Sequence, residues 1–169
     1  HDLEPLYAGI DDYVPALAAR IEDICAKTGA RGLAIVAHSM GGLAARAYLC
    51  EHGRARVAAL ITLGTPHHGT RAATFGQGEN ARQMRPGSTW LESLARAESA
   101  AAASVPLTSI YTSDENVVVP AESSVLTRGN NIGLSGMGHV SLVFSAQVRR
   151  LVLQNVQGIR APRPGDVSV

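Results

Sequence analysis

A serine can serve as a nucleophile where a strand delivers it to a sharp turn and a helix follows. The turn exposes the hydroxyl, and the first N–H groups of the helix face any negative charge that develops beside it. Residues Ala37-His38-Ser39-Met40-Gly41-Gly42 have this form, between the apolar run Leu33–Ala37 and a stretch of helical spacing that begins at Leu43. The G-x-S-x-G pattern of such a turn carries alanine at its first position here, still small enough for close packing. The plain alternative is a serine at an ordinary helix N-cap. With Ser39 as nucleophile, the Met40 N–H is placed to meet an oxyanion.

A serine nucleophile needs a base, and the base needs an acid to orient it. Gly136-Met137-Gly138-His139-Val140 sets His139 in a glycine-rich loop after a predicted strand, which makes it the best base among six histidines. Its alternative role is a loop histidine capping the last helix. Asp114 and Glu115 follow another predicted strand and complete the chain order serine, acid, histidine. His67 and His68 could suggest a metal, but adjacent side chains diverge and no third ligand is evident, so neither a metal nor any other cofactor is expected. Cys25 and Cys50 are too few and too far apart for a C-x-x-C site; they read as buried small hydrophobes, with a single disulfide left open.

These residues must be held by alternating elements. Val14, Leu17, Ala18, Ile21, Ile24 and Cys25 recur at helical spacing, with Pro15 in the first turn and Gly29 at the end. Leu33–Ala37 lacks polar alternation and predicts a central parallel strand covered on both faces. Leu43 to Cys50 predicts a helix that Gly53 stops; Val57 to Leu63 and Leu107 to Tyr111 predict two more strands, and Asn131 to Leu134 a weaker fourth. Residues 71–87 read as loop, and Thr89-Trp90-Leu91-Glu92 fits a capping box opening the next helix. Ala100 to Ala103 read as a helix end. A last helix is predicted from about Ser141 to Gln154, with Val148, Leu151 and Val152 inward. The pattern is that of an α/β fold on a parallel sheet, with residues 1–160 as one domain and 161–169 as a tail.

Composition agrees with one core. The 169 residues are 46% hydrophobic and 17% charged, with a net charge of +1, which excludes disorder and leaves no footprint for nucleic acid or an anionic membrane. No apolar run approaches a membrane span, and the first residues lack the features of a signal peptide. A chain that starts on His1 rather than Met is expected to be missing something upstream.

Taken together, Val36-Ala37-His38-Ser39-Met40-Gly41-Gly42, Leu63-Gly64-Thr65-Pro66-His67-His68-Gly69-Thr70, Ile110-Tyr111-Thr112-Ser113-Asp114-Glu115-Asn116-Val117-Val118-Val119-Pro120 and Gly138-His139-Val140-Ser141-Leu142 resemble bacterial triacylglycerol lipases and esterases of the α/β-hydrolase fold. The likeness is strongest to small lipases with an A-H-S-M-G turn. It implies a cofactor-independent hydrolase of lipid or other hydrophobic acyl esters, in which Ser39 attacks, His139 relays the proton and an acyl-enzyme is hydrolysed by water. It also implies that His38, Thr65 and Pro66 shape the wall of the substrate site, that residues 71–104, with Phe75, Met84, Trp90 and Leu91, form an acyl pocket or lid or else pack in the core, and that the protein is secreted, as many such lipases are.

Two departures from the family pattern stand out. Register puts the family's aspartate at Glu115, whereas residue type favours Asp114; the reading leans to Asp114, since a loop shifts by one residue more easily than the usual acid is replaced. The family's second oxyanion donor comes from an H-G motif after an early strand, and the 38 residues before Ser39 contain none. This predicts an α/β-hydrolase fold lacking its N-terminal strands, or a second donor from elsewhere. Loss of one donor typically costs about 10² to 10³ in rate, so a non-catalytic fragment is one alternative. An acyltransferase or thioesterase with the same triad is another.

Overall fold

The computed structural model describes residues 7–101 and 105–159. Four strands form a parallel sheet in the order β1 (Leu33–His38), β2 (Val57–Leu63), β3 (Leu107–Thr112) and β4 (Asn130–Leu134). The register pairs His38 with Leu63, Leu63 with Ile110 and Thr112 with Leu134, so the carboxyl ends of all four strands lie along one rim. Every connection that leaves this rim carries a candidate site residue.

Helices cover both faces. On one, α1 (Val14–Thr28), α2 (Met40–His52) and α4 (Thr89–Ala101) pack with Val57 and Leu60 of the sheet around Ile21, Leu43, Tyr48, Leu49, Leu91 and Leu94. On the other, α5 (Ser141–Phe144) and α6 (Ala146–Gln157) cover Ile61, Leu63 and Ile110 with Leu142 and Val148. The run Gly42–Leu49 is buried throughout, including Arg46, whose guanidinium forms a two-pronged ion pair with Glu98 of α4 at 2.6 and 2.7 Å. Small residues at Ala44, Ala45 and Ala47 let α2 lie close against its neighbours.

Four sequence expectations change. β1 is an edge strand rather than a central one: among the described residues only β2 pairs with it, and Val36 is 47% exposed despite its apolar character. Residues 71–87 contain a 3-10 turn at Arg71–Thr74 and the short helix α3 (Glu79–Gln83), which ends at Met84. The cap of α4 is Ser88, whose Oγ accepts from Leu91 N at 3.2 Å, so Thr89 is the first helical residue. The last helix is two: Ser145 leaves the helical conformation with ψ of 126° and its hydroxyl caps Val148 N, separating α5 from α6. Met84, Trp90 and Leu91 pack in the core, whereas Phe75 is 89% exposed. Cys25 and Cys50 are free thiols, and burial pushes Cys50 up to about 11. The alanine run at 100–103 and the tail at 161–169 lie outside the residues whose packing is described.

Leu60, with no exposed surface, should lose about 2–5 kcal/mol of stability on substitution by alanine. Phe75→Ala should stay within about 0.5 kcal/mol, and chemical denaturation of both variants checks the contrast.

Candidate active site

Ser39 joins β1 to α2 at φ 53° and ψ −131° and is the sole described non-glycine residue with positive φ. A side chain in this region costs on the order of 1–3 kcal/mol and persists only where its surroundings over-determine it. Here they do. Ser39 N donates to Leu63 O at 2.8 Å, extending the β1–β2 ladder by one residue, and the Thr65 hydroxyl donates to Ser39 O at 2.8 Å. Thr65 can lie so close because residue 42 is glycine: a Cβ there would sit 2.1 Å from Thr65 Oγ1. The motif's alanine is accommodated too, since the Ala37 methyl is 4.0 Å from where a Cβ at Gly41 would be. The Met40 N–H opens α2 and has no acceptor within the helix.

The histidine arrives from the loop after β4. His139 is 4% exposed, and its Nδ1 lies 2.9 Å from Oε2 of Glu115, itself 1% exposed at the side chain. The Glu115 Oε1 atom accepts from the N–H groups of Asn116 and Val117, both at 2.9 Å. Burial alone would raise the Glu115 carboxyl, but the hydrogen bonds from His139, Val117 and Val118 outweigh it and hold the group below the usual glutamate range. Ionised Glu115 can only accept, so Nδ1 carries a hydrogen, and in the neutral ring that tautomer leaves the lone pair on Nε2.

Asp114, the acid that residue type favoured, points elsewhere. Its Oδ2 accepts from Gly136 N at 2.6 Å, and Thr112 Oγ1 donates to Met137 O at 2.7 Å, so this stretch anchors the loop that carries His139. Glutamate's extra methylene lets residue 115 reach the ring while residue 114 holds the loop. Gly64 makes room for the arrangement: it has φ 54°, and a Cβ there would lie 3.0 Å from His139 Nδ1 and from Leu142 Cδ1.

The sequence expects His38, Thr65 and Pro66 to line the substrate wall. Thr65 and Pro66 are buried, and the Thr65 hydroxyl supports the turn through Ser39 O. His38 turns its ring onto His139 rather than into open space. His67 lies in the interior, with Arg46 Nη1 3.2 Å from its Nδ1 and Thr62 Oγ1 3.0 Å from its Nε2; burial, then the proximity of the Arg46 charge and of His68, push its pKa well below the usual histidine value. No Ser39 Oγ to His139 hydrogen bond is formed among the described residues; the side-chain contact from this segment is that of the His38 ring, whose Nε2 lies 3.3 Å from His139 O. The described residues contain no group of three or more His, Cys, Asp or Glu side chains able to hold a metal, and no described helix is long and apolar enough to cross a membrane.

A strained serine between strand and helix, with a buried histidine–carboxylate pair on the same rim, can be compared with known proteins. A family model described as the PGAP1-like alpha/beta domain matches residues 10–151. The chain belongs to the PGAP1-like alpha/beta family. A stretch of 61 residues is 39% identical to triacylglycerol lipases of Pseudarthrobacter phenanthrenivorans and of Burkholderia plantarii, covering 36% of this chain but only 19% and 17% of those proteins. The mature form of the Bacillus licheniformis lipase BlEst2 superposes with a TM-score of 0.77 at 18% identity, over 92% of this chain and 76% of that one. That likeness is one of fold, and the fold is that of an α/β-hydrolase. The expected kinship with α/β-hydrolase lipases and esterases holds for this PGAP1-like domain.

Two outcomes test the geometry. Gly64→Ala should push His139 off Glu115, which a crystal structure or the histidine ring resonances would report. Because Glu115 titrates lower folded than unfolded, its stabilisation is complete above the ordinary glutamate pKa of about 4.3 and is lost as pH falls through the folded value. Denaturation of Glu115→Gln between pH 7 and 3 should therefore show a shallower acid loss than the parent chain.

Proposed function

We propose that this domain is a serine carboxylic-ester hydrolase acting on lipid or other hydrophobic acyl esters. The observation that carries the reading is the buried His139–Glu115 pair on the rim where Ser39 is held at positive φ. Ser39 Oγ attacks the ester carbonyl as His139 Nε2 takes its proton. The Met40 N–H faces the oxyanion. Collapse breaks the ester C–O bond, the imidazolium returns the proton to the leaving alcohol, and an acyl-Ser39 remains. Water then repeats the sequence, with His139 as base, and frees the carboxylic acid. Glu115 stays ionised throughout, fixing the ring and favouring the imidazolium.

An apolar substrate is supported by the rim around the pair. Val117 and Val119 follow Glu115, Val140, Val143 and Phe144 follow His139, and all five are exposed, Phe144 by 80%. A net charge of +1 gives no electrostatic reason to select an ionic substrate.

Intact mass after exposure to a fluorophosphonate should show one adduct on the parent chain and none on Ser39→Ala. A folded parent that takes no label would contradict the reading. An ester panel should then favour apolar acyl groups over charged ones of equal length.

A further inference from the structure

His38 has no task in the steps above, yet it is the residue bonded directly to Ser39. Its ring lies against that of His139, with centroids 4.6 Å apart and planes inclined by 45°, and its Nε2 is 3.3 Å from His139 O. A carbonyl only accepts, so Nε2 carries the hydrogen and donates. Burial, followed by the neighbouring His139, lowers the pKa of His38, in keeping with a neutral ring.

The loop bearing His139 contains Gly136 and Gly138 and gains little rigidity of its own. Its other side-chain tethers come from the end of β3: Asp114 to Gly136 N, Thr112 to Met137 O and Glu115 to the ring. The His139 carbonyl also accepts from Leu142 N at 3.3 Å, a bond inside its own turn that ties it to neither Ser39 nor β1. His38 supplies a contact from the opposite side, out of the same backbone segment that carries Ser39.

We propose that His38 is a positioning residue, which clamps the backbone carbonyl of His139 and so registers the base against the neighbouring nucleophile. This inference rests on the ester-hydrolase reading of the same site. The ring bulk and the Nε2 donor are separable, since glutamine places an N–H donor near the Nε2 position whereas leucine supplies bulk alone.

The test compares His38→Leu and His38→Gln by the rate of fluorophosphonate labelling of Ser39 and by the downfield Nδ1 proton resonance that the His139–Glu115 hydrogen bond should give. His38→Leu should slow labelling by about 10- to 100-fold and broaden the resonance, with circular dichroism unchanged. His38→Gln should restore both to within a few-fold. Parent-like labelling with a sharp resonance in His38→Leu would overturn the proposal, as would His38→Gln being as slow as His38→Leu. Should the parent take no label, the ester reading fails separately, and persistence of the sharp resonance in His38→Leu still decides against the clamp. If His38→Leu does not fold, His38→Asn, whose amide is too short to reach the carbonyl, takes its place with the same expectations.

Discussion

The chain turns from strand to helix at a single residue, and most of the site follows from keeping Ser39 at a φ of 53°. That conformation is unfavourable by itself. It is held by the ladder bond to Leu63 O, by the Thr65 hydroxyl on Ser39 O and by a helix whose residues 42–49 are all buried. Gly42 is indispensable because Thr65 fills the space a side chain would need. The small residues around the turn thus have separate steric reasons, and the buried α2 gives the serine a fixed platform.

Around this platform the two adjacent carboxylates divide the work on one histidine. Glu115 reaches the ring, its charge kept by neighbouring N–H donors and by His139 in spite of burial. Asp114 reaches the loop through Gly136 N. A buried carboxylate held by several donors is a fixed charge beside the imidazole, and in the proposed mechanism such a preorganised group costs no reorganisation during reaction. The same economy explains why Gly64 lies beneath the ring: the space that a methyl would take is occupied by His139.

Much of this was legible from residue order. The bounds of β2 were read as they stand, and β1, β3 and β4 within a residue; uninterrupted apolar runs mark β1 and β2 as parallel strands, whereas β3 and β4 carry polar residues. The family kinship also lay in the motifs around Ser39 and His139. What sequence could not supply was the choice between neighbours. Asp114 and Glu115 differ by one residue and one methylene, and only the path of the loop decides which meets the ring. The apolar run of β1 reads alike whether one or two strands flank it, and its edge position was legible only in the expectation of a fold lacking its N-terminal strands. The split at Ser145 is a local hydroxyl cap inside an otherwise helical pattern, a competition that periodicity does not register. The Arg46–Glu98 pair, 52 residues apart, had no signal beyond two charges in apolar surroundings.

The account therefore centres on Glu115, rather than Asp114, as the acid that orients His139. The direct measurement is the rate of hydrolysis of a short apolar ester by Glu115→Gln and Asp114→Asn against the parent domain. Glu115→Gln should lose about 10²- to 10⁴-fold, as a mis-set histidine tautomer does, while Asp114→Asn, which keeps an acceptor for Gly136 N, should stay within about tenfold. The reverse order, with Asp114→Asn the crippled variant and Glu115→Gln near the parent rate, would contradict it.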